Sequence, residues 1–162
     1  MARAYIIDGY NLIESHRGYF PGSLHAAREK LIESIKEIRP EGGPRNKVTV
    51  VFDGRPGITF PPVKFLDVKF TAGREADAFI EDMVRESRHP AAVIVVTDDR
   101  RLGRFVRADG AKITSTREFI EKLFPPEKKE EPAGIKDIEA EFARETTAEF
   151  KKVWLKKEDK KE

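Results

Sequence analysis

Three runs, AYIID ending at Asp8, VTVVFD ending at Asp53 and VIVVTD ending at Asp98, place this chain in the α/β class. Each run is continuously apolar and β-branched, the pattern of a strand buried on both faces of a parallel sheet; a half-exposed strand would alternate. Segments with helical spacing lie between the runs. Strands alternating with helices build a mostly parallel sheet with helices on both faces. The 162 residues, 39% hydrophobic and 37% charged, suffice for one sizeable core and one domain with an appendage.

The elements follow in order. The strand ending at Asp8 leads into NLIESH. Ser23 is placed to cap a helix whose apolar positions Leu24, Ala27, Leu31, Ile35 and Ile38 recur every three or four residues, with Pro40 and Gly42 ending it. The strand ending at Asp53 comes next. Residues 63–70, VKFLDVKF, alternate only in part and read as a strand at or near an edge. A helix over 75–87 gathers Ala76, Phe79, Ile80, Met83 and Val84 on one face. After the strand ending at Asp98, a short helix covers 100–107 and stops near Gly110. Residues 111–114 read as a short fifth strand. Ser115, with Glu118 three residues on, forms a capping box ahead of Phe119, Ile120 and Leu123.

At 125–132, PPEKKEEP is a polar, proline-bounded linker, so the chain divides into a domain over 1–124 and a tail over 125–162. In the tail, Ile135, Ile138, Phe142, Phe150, Val153 and Trp154 predict a long amphipathic helix that must bury its apolar face on the domain, on a partner protein or on a second copy. The closing KKEDKKE is expected to fray.

Composition narrows the chemistry. The absence of cysteine excludes disulfides, thiolate zinc sites and cysteine nucleophiles. His16, His25 and His89 match no metal-binding spacing, and His16 and His25 read as loop or helix-surface residues. No stretch approaches the roughly 20 apolar residues of a membrane helix, and MARAYIIDGYN has no apolar leader or cleavage site. A cytoplasmic protein without a membrane span is expected.

Ligands of a parallel α/β sheet bind beyond the carboxyl ends of its strands. Here three strands end there in aspartate. Neighbouring strands are about 4.8 Å apart, so these carboxylates repel unless protonated or bridged by a cation. Asp77 and Glu81, four apart at the start of the 75–87 helix, share a face at the same edge. The alternative is a dipole-matched Asp77 and a surface pair from Glu81 to Arg85. An oxygen-only donor set points to Mg²⁺ or Mn²⁺, the ions of phosphate-ester chemistry. Of the adjacent Asp98 and Asp99, Asp98 is favoured for the metal and Asp99 for capping the next helix. Asp53, in FDGRPG, is open between ligand and turn. Asn11 either orients a phosphate or water or caps a helix in NLIESH; the first is favoured because Gly9 would let the backbone approach a ligand.

IIDGYNLI, VVFDG, FTAGREADAFIEDMV and VVTDDRRLGRFVRADGAKITSTREFIEKL, in this order over residues 5–123, resemble the YacP-like NYN domains of the PIN-like nuclease superfamily. The resemblance implies a PIN-like three-layer α/β sandwich and metal-dependent endoribonuclease activity. It assigns the acidic site to Asp8, Asp77 and Asp98 with Asn11 as the NYN asparagine; Glu81, Asp53 and Asp99 are looser carry-overs. RNA as the substrate, rather than DNA, also rests on it.

A nuclease needs cations beside its acids to hold the phosphate backbone. Arg100, Arg101, Arg104 and Arg107 lie on one short helix after Asp98, with 100, 104 and 107 on one face. Arg74 stands near Asp77, and Tyr10 and Tyr19 flank Asn11 as candidates for base stacking. A non-catalytic RNA-binding adaptor on the same fold is the competing reading. An aspartyl-phosphate phosphatase is disfavoured, because the position two residues after Asp8 is Tyr10.

Overall fold

The structure, a computed structural model, describes residues 2–57 and 59–126. Its strands are β1 (Ala4–Asp8), β2 (Lys47–Phe52), β3 (Leu66–Phe70), β4 (Val93–Val96) and β5 (Lys112–Thr114). All pair in parallel, in the order β3-β2-β1-β4-β5. The sheet therefore grows outward from β1 in one direction, then restarts on its other side at β4. The carboxyl end of β1 is the switch point where a doubly wound sheet opens a crevice.

The helices are α1 (Gly9–Ser15), α2 (Leu24–Ile38), α3 (Ala76–Arg85), α4 (Arg100–Ala108) and α5 (Thr116–Leu123). Two hydrophobic clusters, one on each face, make the three-layer sandwich. Ile7, Val50 and Phe52 meet Leu12, Leu31, Ile35 and Phe119 of α1, α2 and α5. Ile6, Val51 and Val95 meet Ile80, Val84, Leu102 and Val106 of α3 and α4. Successive strand residues thus feed opposite faces, which is why the runs are continuously apolar. Phe20, Phe52 and Phe119 are fully buried, each contributing roughly 1.5–3 kcal/mol of apolar burial.

Local chemistry accounts for most boundaries. The Ser23 side chain accepts the Ala26 N–H and starts α2. α2 ends at Arg39, in the left-handed region, one residue before Pro40. Its first and last apolar residues, Leu24 and Ile38, are 44% and 47% exposed, while Ile32, outside the expected stripe, is buried. The Ser115–Glu118 capping box forms as expected. β3 and β5 are the two sheet edges. β3 is shorter than the 63–70 run because Val63 makes only an isolated antiparallel bridge to Leu66. The linker expected from 125 is described only as far as Pro126, and the amphipathic helix and fraying end expected beyond it lie outside the described residues. No helix among the described residues is long and apolar enough to cross a membrane.

Candidate functional site

Four aspartates line the carboxyl edge of the sheet, and each receives the N–H groups of a helix start. Asp8 caps α1, accepting the Asn11 N–H at 3.3 Å. Asp53 accepts the Ala76 N–H at 2.8 Å, the first of α3, whose own N-cap Glu75 makes no side-chain bond. Asp99 caps α4 through the N–H groups of Arg101 and Leu102, at 2.7 and 2.9 Å. Asp98 accepts the Thr116 N–H, the first of α5, at 3.0 Å, and the Thr116 hydroxyl as well. Helix starts carry unsatisfied donors and a positive dipole end, so they hold negative charge at low cost. The parallel topology brings all four helix starts to one edge.

The carboxylates divide by direction. Asp8 is 8% exposed, and its pKa is pushed up to about 6, first by burial and then by the negative charges of Asp77, Asp53 and Asp99; the Asn11 N–H opposes this. Asp77, in the first turn of α3, is also raised, by burial, then by Asp99, with Glu81 and Glu75 adding to it and Arg101 opposing. These acids share one field. Asp98 stands apart: both its oxygens are engaged by Thr116. Its backbone N–H donates to Asn11 Oδ1 at 3.1 Å, linking the end of β4 to α1.

An oxygen-only donor set around Asp8 has the chemistry of a Mg²⁺ or Mn²⁺ site. The mutual repulsion of Asp8, Asp77 and Asp99 is what a divalent cation relieves. Among the described residues, however, no three such side chains already converge on one point as ligands.

Several sequence expectations change here. The cap of α1 is Asp8, not Asn11, since the helix starts two residues earlier, at Gly9. Gly9 has a packing reason that the sequence does not show: a β-carbon there would overlap the Phe52 ring. Arg85 pairs with Asp82 and Asp109, and no Glu81–Arg85 pair forms among the described residues. Asp99 does cap α4, yet its charge also acts on Asp77 and Asp8, whereas the Asp98 carboxylate is engaged by Thr116 at the start of α5.

Arg100, Arg104 and Arg107 line one groove of about 510 Å³ with Thr97, Asp98 and Asp99. Arg101 points elsewhere, over the Phe105 ring and near enough to Asp77 to oppose its pKa rise. Arg74 is engaged by Asp82 and lies over Phe79. The Tyr10 ring packs on Phe52 with centroids 5.1 Å apart, and Tyr19 stacks on Phe124. His25 pairs with Glu29 on the surface of α2. His16 is no loose surface residue: its Nε2 is 2.8 Å from the Thr116 hydroxyl. Thr116 itself escapes sequence reasoning. Its only visible signal is its place beside the Ser115 cap.

Two crystal structures of Rae1 (YacP) from Bacillus subtilis resemble this fold, both at 24% identity. The W164L mutant aligns with a TM-score of 0.59 over 96% of this chain and 89% of its own. The other aligns with 0.58 over 98% and 93%. No curated protein matches the chain. The YacP-like NYN domain model matches residues 5–161, well past the 5–123 over which the motifs are legible and through the tail. With that match over nearly its whole length, the chain belongs to the YacP-like NYN domain family, a family of nuclease domains.

Proposed function

We propose that this protein is a metal-dependent endoribonuclease that hydrolyses RNA phosphodiester bonds at an acidic Mg²⁺ or Mn²⁺ site. The carrying observation is Asp8: a buried carboxylate at the switch point of the sheet, in the field of Asp77, Asp53 and Asp99. A cluster that raises its own pKa values is a cost to the fold, and such costs concentrate at functional sites.

In this reading Asp8, Asp77 and Asp99 hold the ion, with Glu81 and Asp53 beside them. Bound there, the ion supplies an activated water and offsets charge on the phosphate. Asp8 keeps one oxygen on the Asn11 N–H, leaving the other for the ion. Asp98 and Asn11 act as positioning residues: Asp98 ties the β4–α4 turn to α5, and Asn11 ties it to α1. Arg100, Arg104 and Arg107 hold the phosphate backbone beside the acids.

A non-catalytic RNA-binding adaptor is the second reading, favoured by the groove of Arg100, Arg104 and Arg107, which would hold a phosphate backbone with or without cleavage. Labelled structured and single-stranded RNAs, incubated with Mn²⁺, Mg²⁺ or EDTA, separate the two. Internal cuts that need the ion and vanish in Asp8→Asn are expected. Binding without cutting supports the adaptor, and full cutting in EDTA overturns the metal mechanism.

A further inference from the structure

Arg28 lies in the second turn of α2, at the carboxyl edge of the sheet on the β2–β3 side. Its guanidinium is 5.8 Å from the centre of the Phe70 ring, and Phe70 is the last residue of β3. Its Nη1 donates to the Tyr10 hydroxyl at 3.4 Å. Among the described residues no carboxylate pairs with it. Its Nε is shielded from solvent and has no acceptor among the described residues. A half-buried guanidinium with no counter-charge among the described residues is unfavourable, and an anion is the partner that relieves it.

Tyr10 completes the arrangement. It follows Asp8 by two residues, and its ring is held on Phe52, the last residue of β2. Because its hydroxyl oxygen accepts from Arg28, its own hydrogen is left to donate. Two donors, one of them charged, thus sit together, the Tyr10 hydroxyl belonging to the helix that Asp8 caps. The groove of Arg100, Arg104 and Arg107 lies on the other side of β1, over β4 and β5. β3 and β5 are four strand spacings apart, about 19 Å.

We infer that Arg28 and the Tyr10 hydroxyl form a second seat for the RNA backbone, taking a phosphate oxygen, so that the strand crosses the acidic centre between two cationic holds. This rests on the RNA reading above and deepens it. It also changes the part of Tyr10: with the ring packed on Phe52, the hydroxyl acts, not a stacking face.

The test is binding of a labelled single-stranded RNA to the full chain in EDTA, across a range of salt. Arg28→Met keeps the aliphatic stem over Phe70 and removes the charge. Tyr10→Phe keeps the ring on Phe52. Both are expected to bind several-fold more weakly. The slope of log affinity against log salt should fall by about 0.7 for Arg28→Met and stay unchanged for Tyr10→Phe. Without RNA, Arg28→Met should melt at or above the wild-type temperature, because an unpaired charge is gone. Arg28→Lys, which retains the charge, should retain the slope and guards against misfolding of the methionine variant. RNA binding with an unchanged slope in Arg28→Met overturns the second seat alone. So does a slope lost equally in Arg28→Lys, or weaker binding that comes with a lowered melting temperature. A wild-type protein that binds no RNA overturns the nuclease reading and the seat together.

Discussion

Thr116 gives the Asp98 carboxylate both of its hydrogen bonds, one from the backbone N–H at 3.0 Å and one from the hydroxyl. Thr116 is fully buried, and His16 Nε2 lies 2.8 Å from the same hydroxyl. That hydroxyl has a single hydrogen, which Asp98 takes, so His16 must donate from Nε2. A chain His16–Thr116–Asp98 therefore joins the end of α1, the start of α5 and the β4–α4 turn.

Thr116→Val removes the hydroxyl and leaves two polar groups short of a partner. A loss of about 1–3 kcal/mol is expected, recovered by Thr116→Ser. Urea denaturation of the three proteins measures it. Asp98→Asn, by contrast, is accommodated if the chain of donors reverses, with His16 changing tautomer. Nitrogen NMR of the His16 ring should report that change.

Asp8 makes stability depend on pH. Its folded pKa, about 6, lies above the ordinary 3.8, so the fold prefers the protonated carboxyl. That stability is complete below pH 3.8 and is lost as pH rises through about 6. Asparagine caps a helix as well as aspartate does. The metal-free Asp8→Asn protein should therefore be more stable than wild type well above pH 6, by up to about 3 kcal/mol. The advantage should vanish below pH 3.8. Excess Mg²⁺ should stabilise wild type more than the variant, in proportion to its binding to the folded state. A variant less stable than wild type at high pH, in EDTA, would make Asp8 a purely structural cap.

Arg100 and Arg104 share a groove with Asp98 and Asp99. Replacing both with alanine should weaken RNA binding and lower the salt slope by about 0.7 for each lost single-strand contact. Since both side chains are exposed, thermal melting should hardly change. An unchanged slope assigns them to the solvated surface.

Gly9→Ala drives a methyl group into the buried Phe52 ring. A loss of about 1–3 kcal/mol is expected from overpacking. Phe52→Leu in the same chain should restore part of it, which a double-mutant cycle in urea would reveal.

Short-range chemistry made much of this molecule legible in one dimension. The double-sided burial of β1, β2 and β4 is written as continuous apolar runs. The Ser23 cap and the Ser115–Glu118 box are contacts within one helical turn, so a few letters specify them. That Asp8 ends a strand and that Asp53 and Asp98 lie one and two residues beyond one was readable to within two residues for the same reason. Where each carboxylate points was not, because their partners come from distant segments: Asp53 meets Ala76 across 23 positions, and Asn11 meets Asp98 across 87. Arg28 reads as one more basic residue on an amphipathic helix until α2 packs it beside Tyr10 and Phe70. Periodicity reports which side of an element is buried. The neighbour that a polar atom meets there depends on the order β3-β2-β1-β4-β5, which brings four helix starts to one edge of the sheet and which no local pattern encodes.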